Sequence, residues 1–195
     1  PEAAASPFAA PALPAEHTKA LGNAGVDALK EFVRGGGSLV LLDHSTALAT
    51  ERFGVPVRNA IAGLSDKEFF VPGSSLRVDV DPTQPLGYGM PKETTVLFFE
   101  SVAFDISNSI ANDQISVAAR YRDRDLLQGG WLDGEKHLVQ KPALLDVGYG
   151  KGRIAMIGFR AQNRAQAHGT FKVLFNALYQ AGAVNVPASG SVTNR

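Results

Sequence analysis

The densest apolar pattern lies between residues 141 and 182, where it predicts a β-hairpin followed by a helix. Two short apolar runs, at 142–147 and 153–159, flank a glycine-rich turn at 148–152, which is typical of a hairpin. Beyond it, apolar residues recur at helical spacing up to Gly182, which supplies a stop signal. The stripe that we expect this helix to bury consists of Phe171, Leu174, Phe175 and Leu178.

The first part of the chain has the pattern of an α/β protein. A short helix is predicted from residue 24 to the glycines at 35–37, and residues 38–42 have the sequence Ser-Leu-Val-Leu-Leu. A strand that is apolar on both faces is typical of a central parallel strand. Residues 46–53 are expected to be helical, with Ser45 as their N-cap.

The second part of the chain favours β-structure. Strands are predicted at 76–80, 94–99, 102–106 and 115–121, and the segment 82–91 is expected to be an ordered loop. We therefore expect an α/β fold with a flavodoxin- or amidotransferase-like sheet, helices on both faces and antiparallel strands in the second half. The expected organisation is a Pro/Ala-rich arm or linker at 1–23, the α/β domain at 24–182 and a tail at 183–195.

Composition narrows the classes of function. The 195 residues include 19 Lys and Arg and 19 Asp and Glu, and zero net charge argues against a nucleic-acid or anionic-membrane partner bound through bulk electrostatics. The absence of cysteine excludes disulfides, thiolate metal sites and a cysteine nucleophile in this chain. No apolar run approaches the roughly 20 residues of a membrane-spanning helix.

The first candidate ligand site is Asp43, His44 and Ser45, which follow the predicted strand at 38–42. In open α/β sheets, ligands collect at the carboxyl ends of strands, ahead of helix N-termini. A nucleophile elbow requires small residues around the nucleophile, and its glycines are missing here. Two interpretations stay open: a helix cap with a solvated turn, or a site in which Ser45 is a nucleophile.

The second candidate consists of Arg160, Arg164 and His168, which are spaced four residues apart. On a helix that began near Arg160 they would share one face, and that face could bind an anion or a partner's carboxylates. Alternatively, Asn163 caps the helix and leaves Arg160 in a loop. The same residues could also form a solvated or salt-bridged polar face.

No phosphate or metal site is predicted. The turn at 148–152 leads into a strand, whereas a Walker loop leads into a helix. The four histidines, at 17, 44, 137 and 168, are scattered and form no zinc-binding pattern.

Six motifs occur in order between about Gly22 and Tyr179. They are Phe-Val-Arg-Gly-Gly-Gly-Ser-Leu-Val at 32–40, Val-Pro-Gly-Ser-Ser-Leu at 71–76, Pro-Leu-Gly-Tyr-Gly-Met-Pro at 85–91, Gly-Trp-Leu-Asp-Gly-Glu at 130–135, Gly-Lys-Gly-Arg through Phe-Arg at 150–160, and Thr-Phe through Phe-Asn-Ala-Leu at 170–178. Together they resemble the C-terminal domain of exported bacterial zinc carboxypeptidases of the M14 family. That accessory domain is similar in fold to class I glutamine amidotransferases.

The resemblance implies a module without catalytic residues of its own. M14 catalysis needs a His-x-x-Glu zinc pair, a later histidine and a general-base glutamate, which have no counterparts here, so the peptidase domain and its zinc are expected N-terminal to this chain. Amidotransferases use a cysteine nucleophile with a His-Glu pair, and Asp43, His44 and Ser45 stand roughly where their elbow would be. The resemblance also implies a secreted or periplasmic location. Because the fold normally begins with parallel strands upstream of Gly22, we expect an N-terminally truncated domain.

The expected function is that of a non-catalytic accessory domain of an exported M14-type zinc carboxypeptidase. Its expected partner is the peptidase domain of the same polypeptide, and no cofactor or metal is expected in this chain. The candidate ligand-binding residues are Asp43, His44, Ser45, Arg160, Arg164 and His168. One alternative is a stand-alone hydrolase that uses Ser45 or His44 with His168. Another is a peptide- or carbohydrate-binding module with Trp131 and Tyr88 as stacking surfaces.

Overall fold

The computed structural model describes residues 21–107 and 114–182, which form an α/β domain. The expected tail at 183–195 and residues 1–20 of the expected arm lie outside the described residues. The helices are α1 (Gly22–Arg34) and α2 (Phe171–Gly182). The strands are β1 (Ser38–Leu42), β2 (Val57–Asn59), β3 (Ser74–Val80), β4 (Glu93–Phe98), β5 (Phe104–Ile106), β6 (Ile115–Tyr121), β7 (Leu127–Gly129), β8 (Pro142–Tyr149) and β9 (Gly152–Ile157).

The main sheet is mixed, with one parallel pair at its edge. Its strand order is β1-β9-β8-β6-β3-β4, and β7 pairs with β3. β1 runs parallel to β9, and every other pairing in this sheet is antiparallel. β2 and β5 form a separate antiparallel pair. These directions place the carboxyl ends of β1, β9 and β4 at the same edge of the sheet.

β1 is parallel, as predicted, but the expected central position is wrong, because β1 lies at the edge of the sheet in the described residues. Leu39 and Leu41 pack into the core under α1, whereas Val40 and Leu42 pack into the core under α2. The apolar character of both faces therefore reflects cover by helices on both sides and does not indicate a central strand.

The predicted hairpin is confirmed as β8 and β9. Its last pair is Tyr149 with Gly152, so that Gly150 and Lys151 form a two-residue turn. Gly150 has a φ of +62°, and a Cβ at this position would lie 2.8 Å from the Cα of Arg34. The turn therefore lies against the end of α1 and requires glycine.

Alternate residues of this hairpin point into two hydrophobic cores, one on each face of the sheet. The core under α1 includes Val26, Val33, Leu145, Ile154 and Met156. The core under α2 includes Leu144, Ile157, Phe159, Val173 and Ala177. The expectation of helices on both faces, with antiparallel strands in the second half, is thus confirmed.

The last predicted helix is confirmed as α2, and Leu174 of the predicted buried stripe packs against the core, but the prediction is wrong for Phe175 and Leu178. Phe175 is 55% exposed and Leu178 is 62% exposed. The amide of Asn176 donates hydrogen bonds to the carbonyls of Leu86 and Tyr88, which fixes the rotation of α2. The residues that face the core are Val173 and Ala177. Apolar residues occupy several sides of this helix, so spacing alone could not select the buried side.

The remaining predicted strands are confirmed as β3, β4, β5 and β6, with ends shifted by up to two residues. The segment 82–91 is ordered and contains the 3-10 turn Pro85–Gly87. None of the helices in the described part of the chain is long and apolar enough to cross a membrane.

Candidate functional site

The turn that follows β1 contains a residue in a sparsely populated backbone conformation. Asp43 has a φ of +49°, which costs a non-glycine residue about 1–3 kcal/mol. A 3-10 turn, Asp43–Thr46, is followed by a π-helical segment, Leu48–Phe53, and π-helical turns are frequent at functional sites. These features mark the carboxyl end of β1 as a candidate site.

Two hydroxyl groups of this turn bond the backbone around Asp43. Ser45 Oγ accepts a hydrogen bond from the Leu42 N–H at 2.8 Å and donates one to the Leu42 carbonyl at 2.7 Å. Thr46 Oγ1 donates to the Asp43 carbonyl at 2.6 Å. The helical residues predicted at 46–53 are confirmed, but the N-cap role of Ser45 is wrong, because the first turn begins at Asp43 and already contains Ser45.

The Asp43 carboxylate is held by side chains from distant parts of the chain. Ser101, which is 4% exposed, donates a hydrogen bond from Oγ to Asp43 Oδ1 at 2.9 Å, and Arg160 Nε lies 3.9 Å from Oδ2. Burial raises the pKa of the Asp43 carboxyl above its ordinary value, and the Ser101 hydrogen bond and the Arg160 charge counteract part of that rise. Burial, and then the charge of Asp43, raise the pKa of Tyr121 well above its usual value.

Arg160 connects Asp43 to the segment that follows β4. Its Nε donates to the Phe99 carbonyl at 3.0 Å, and its Nη2 lies 3.4 Å from Glu100 Oε2. The guanidinium carbon lies 4.8 Å from the centroid of the Phe99 ring, and Glu100, like Asp43, has a φ of +49°. Asp43, Glu100, Ser101 and Arg160 thus form one polar group at the edge where β1, β4 and β9 end, which we call the β1-turn cluster.

A cavity of about 530 Å³ adjoins the β1-turn cluster on the side of His44. Val57, Val102 and Phe104 give it an apolar part. Its polar lining residues are His44, Thr46, Thr50, Glu51, Arg58 and Asn59. A cavity of this size, with apolar walls and a few polar groups, can hold a small molecule.

The structure brings together only part of the predicted site. Asp43 and Arg160 meet in the β1-turn cluster, and His44 lines the neighbouring cavity. Ser45 bonds only the backbone of Leu42. Among the described residues, no hydrogen bond joins Ser45 to His44 or to His168, so the groups of the alternative hydrolase are not assembled.

The shared helical face predicted for Arg160, Arg164 and His168 is wrong. Arg160 forms a β-bridge with Leu97, and Arg164 has a φ of +48°, which cannot continue a right-handed helix. His168 lies just before α2, where its ring centroid is 5.4 Å from that of Phe171. Arg160 is therefore in a loop, as the alternative interpretation had it, but α2 starts too late for Asn163 to cap it.

Sequence reasoning missed Glu100 and Ser101. Both follow β4, whose carboxyl end lies at the same edge as that of β1 only because of the strand order. A polar pair after a strand is too common to be a signal by itself. Within residues 21–107 and 114–182, no three His, Asp or Glu side chains are grouped so that they could hold a metal ion.

Comparisons with known proteins give distant structural likenesses. No protein-family model and no curated protein matches the chain. A β-galactosidase from Bacillus circulans is 12% identical, with a TM-score of 0.48, over 82% of this chain and 21% of that one. A ThuA-like protein from Bacteroides uniformis is 14% identical, with a TM-score of 0.48, over 84% of this chain and 66% of that one.

A protein from Thermoplasma acidophilum that is described as a GMP synthase component is 13% identical, with a TM-score of 0.46, over 81% of this chain and 64% of that one. The chain thus spans about a fifth of the β-galactosidase and roughly two thirds of each of the other two proteins. At these identities and TM-scores, the likenesses carry no argument about function.

Proposed function

We propose that this chain is a non-catalytic, amidotransferase-like accessory domain of an exported zinc carboxypeptidase of the M14 type. The six ordered motifs between about Gly22 and Tyr179 support this proposal. The peptidase domain lies outside this chain in the same polypeptide and holds the zinc ion. The accessory domain stabilises that domain or helps to deliver its substrate.

The observation that carries the proposal is that the side chains of Asp43 and Ser45, in the turn after β1, bond other parts of the fold and not each other. The motifs imply that this turn corresponds to a nucleophile elbow, and Asp43 stands there with its carboxylate bound to Ser101 and close to Arg160. The hydroxyl of Ser45, the candidate nucleophile of this turn, is bonded twice to Leu42. A catalytic nucleophile needs an adjacent base that takes its proton, whereas these contacts stabilise the turn.

The test compares the isolated chain with the natural polypeptide that contains it. Residues 1–195 should release no C-terminal amino acid from peptides, with or without added Zn²⁺. The natural polypeptide should release it, and a chelator should abolish that activity. Deletion of this chain should lower the Tm of the peptidase domain or raise its KM. Chelator-sensitive peptidase activity in the isolated chain would refute the proposal, and so would a natural polypeptide without zinc-dependent peptidase activity.

Two variants of the natural polypeptide separate a structural role of the turn from a catalytic one. Asp43→Asn and Ser45→Ala should leave kcat unchanged within about twofold, whereas removal of a general acid or base costs about 100-fold or more. A loss of that size in either variant would assign a catalytic role to the turn.

Two exposed aromatic side chains favour a second candidate function, the binding of a peptide or carbohydrate. Trp131 is 65% exposed and Tyr88 is 73% exposed, and tryptophan and tyrosine are enriched in binding interfaces. A glycan or peptide array probed with the isolated chain should then give signals that Trp131→Ala or Tyr88→Ala removes. An array without signal would contradict this candidate.

A further inference from the structure

A groove with aromatic walls lies between α2 and the segment that follows β3. Its volume is about 820 Å³, and three of its large rings are exposed, since Tyr88 is 73%, Phe175 55% and Tyr179 78% exposed. Exposed aromatic side chains that are grouped in one concavity mark an interaction surface. We call this surface the aromatic groove, and its main lining residues are Tyr88, Pro91, Phe171, Lys172, Phe175 and Tyr179.

Hydrogen bonds from two side chains of α2 hold the walls of the aromatic groove together. The amide of Asn176 donates to the carbonyls of Leu86 and Tyr88 at 2.9 and 3.0 Å. Lys172 Nζ donates to the carbonyl of Gly89 at 2.7 Å. The groove is therefore formed before any ligand binds, and a preformed site loses less conformational freedom on binding.

The polar groups of the aromatic groove are mainly hydrogen-bond donors. The ammonium group of Lys172 has three N–H bonds, of which one binds the carbonyl of Gly89, and the hydroxyls of Tyr88 and Tyr179 can donate as well. Among the described residues, no aspartate or glutamate lines this groove. Apolar walls with donor groups suit a ligand that is apolar, uncharged and rich in unpaired carbonyl groups.

The chain contains such a ligand in its own sequence. Residues 7–14 are Pro-Phe-Ala-Ala-Pro-Ala-Leu-Pro, which carry no charge. Three of these eight residues are prolines and lack an N–H, so the segment has eight carbonyls and five N–H groups. Pro11 and Pro14 are one turn of a polyproline II helix apart, which places both rings on one side. Segments with the pattern Pro-x-x-Pro bind in aromatic-lined grooves.

The short connection between this segment and α1 favours the groove of a second copy. Six residues, 15–20, separate Pro14 from Leu21, so the two Cα atoms can be at most about 25 Å apart. α1 begins at Gly22 and covers one face of the sheet, whereas α2 covers the other. Packed layers lie about 10 Å apart, and the connection would have to pass two layers and an edge of the sheet.

We propose that residues 7–14 of one copy occupy the aromatic groove of a second copy. The rings of Pro11 and Pro14 pack on the aromatic walls, and the donor groups of the groove bind carbonyls of the segment. Reciprocal exchange gives a dimer with twofold symmetry, in which the same contact forms twice, and the first contact makes the second intramolecular. This inference is independent of the carboxypeptidase proposal, because it uses only the aromatic groove and the sequence of residues 7–14.

Analytical ultracentrifugation of residues 1–195 measures the dimer and its Kd. The double variant Pro11→Ala/Pro14→Ala and the variant Tyr179→Ala should each raise that Kd about 10-fold or more. The proline variant lies outside the α/β domain, so its effect does not depend on the stability of that domain. The matched control is Trp131→Ala, which removes a 65% exposed ring outside the aromatic groove and should change the Kd by less than about twofold. A wild type that stays monomeric at about 1 mM, or a dimer that neither variant weakens, would overturn the proposal.

A spin label supplies the second readout. Because the chain contains no cysteine, Ser6→Cys accepts a nitroxide at one position beside the segment. When this copy is mixed with an unlabelled, isotope-enriched copy, the amide NMR signals of Gly89 and Lys172 should broaden, whereas that of Lys30 in α1 should not. Pro11→Ala/Pro14→Ala in the labelled copy should abolish the effect. Unchanged signals in the mixture would overturn the proposal, and so would broadening only when label and isotopes share one molecule, because the segment would then occupy the groove of its own copy.

Discussion

Removal of the Ser101 hydroxyl should destabilise the fold by an amount that depends on the charge of Asp43. Ser101 Oγ donates to Asp43 Oδ1 at 2.9 Å and accepts from the Phe99 N–H at 3.1 Å. A hydrogen bond to a charged group contributes about 1.5–3 kcal/mol. We therefore expect Ser101→Ala to lower the free energy of unfolding by about 2 kcal/mol at neutral pH.

The pH dependence follows from the raised pKa of Asp43. A carboxyl whose pKa is higher in the folded than in the unfolded state favours folding fully below its ordinary value of 3.8, and this contribution is lost as the pH rises through the folded-state pKa. The Ser101 hydrogen bond limits that loss, because it lowers the pKa of Asp43. In Ser101→Ala the pKa rises further, so the stability difference from the wild type should widen from low pH to neutral pH.

Urea denaturation of four proteins measures this effect: the wild type, Ser101→Ala, Asp43→Asn and the double variant. The double-mutant cycle should give a coupling energy of about 1–2 kcal/mol at neutral pH and a value near zero below about pH 3.5. In the Asp43→Asn background, Ser101→Ala should cost the same at both pH values. A neutral-pH coupling under about 0.5 kcal/mol, or equal destabilisation by Ser101→Ala at both pH values, would refute this reasoning.

Three further predictions concern the backbone and one buried hydroxyl. By urea denaturation, Asp43→Gly should be about 1 kcal/mol more stable than Asp43→Ala, because glycine adopts a φ of +49° without strain; equal stabilities would count against strain at this turn. Gly150→Ala should cost about 2 kcal/mol or more, since a Cβ there meets Arg34, and an unchanged Tm would contradict this close approach. Tyr121→Phe should cost about 1 kcal/mol, because the Val102 carbonyl loses a 3.0 Å hydrogen bond; a variant as stable as the wild type would speak against that bond.

Features set by neighbouring residues could be predicted from the sequence. The β8–β9 hairpin is one example, since the alternation of its strands and the glycines of its turn are local signals. The existence of α2 is another, because its apolar spacing and Gly182 mark both the helix and its end. β7 was not predicted because it lacks such a local signal. Its three residues are all exposed, so they show no alternation of apolar and polar positions.

Features set by distant partners could not be predicted. The rotation of α2 depends on the carbonyls that Asn176 binds in the segment after β3. The loop position of Arg160 depends on its bridge to Leu97. Asp43 could be singled out because it follows an apolar strand, whereas Ser101 could be joined to it only once the strand order was known.

The β1-turn cluster lies at the edge of the sheet along which the chain returns after β4. β4 and β1 lie at opposite ends of the strand order, yet the segment after β4 returns towards β9, where the Val102 N–H bonds the Gly158 carbonyl at 2.7 Å. Glu100, with its φ of +49°, lies at the start of this return. Strained backbone at both Asp43 and Glu100 costs about 2–6 kcal/mol in total, a large share of the roughly 5–15 kcal/mol by which domains are stable.

Such a cost is tolerated only where surrounding contacts fix the conformation. Arg160 supplies such contacts to both strained residues. It donates to the Phe99 carbonyl and lies 3.4 Å from the Glu100 carboxylate, and its charge offsets part of the Asp43 charge. The charged groups at this edge therefore interact with one another and with the backbone. These contacts explain how the candidate site can hold strained backbone at both Asp43 and Glu100.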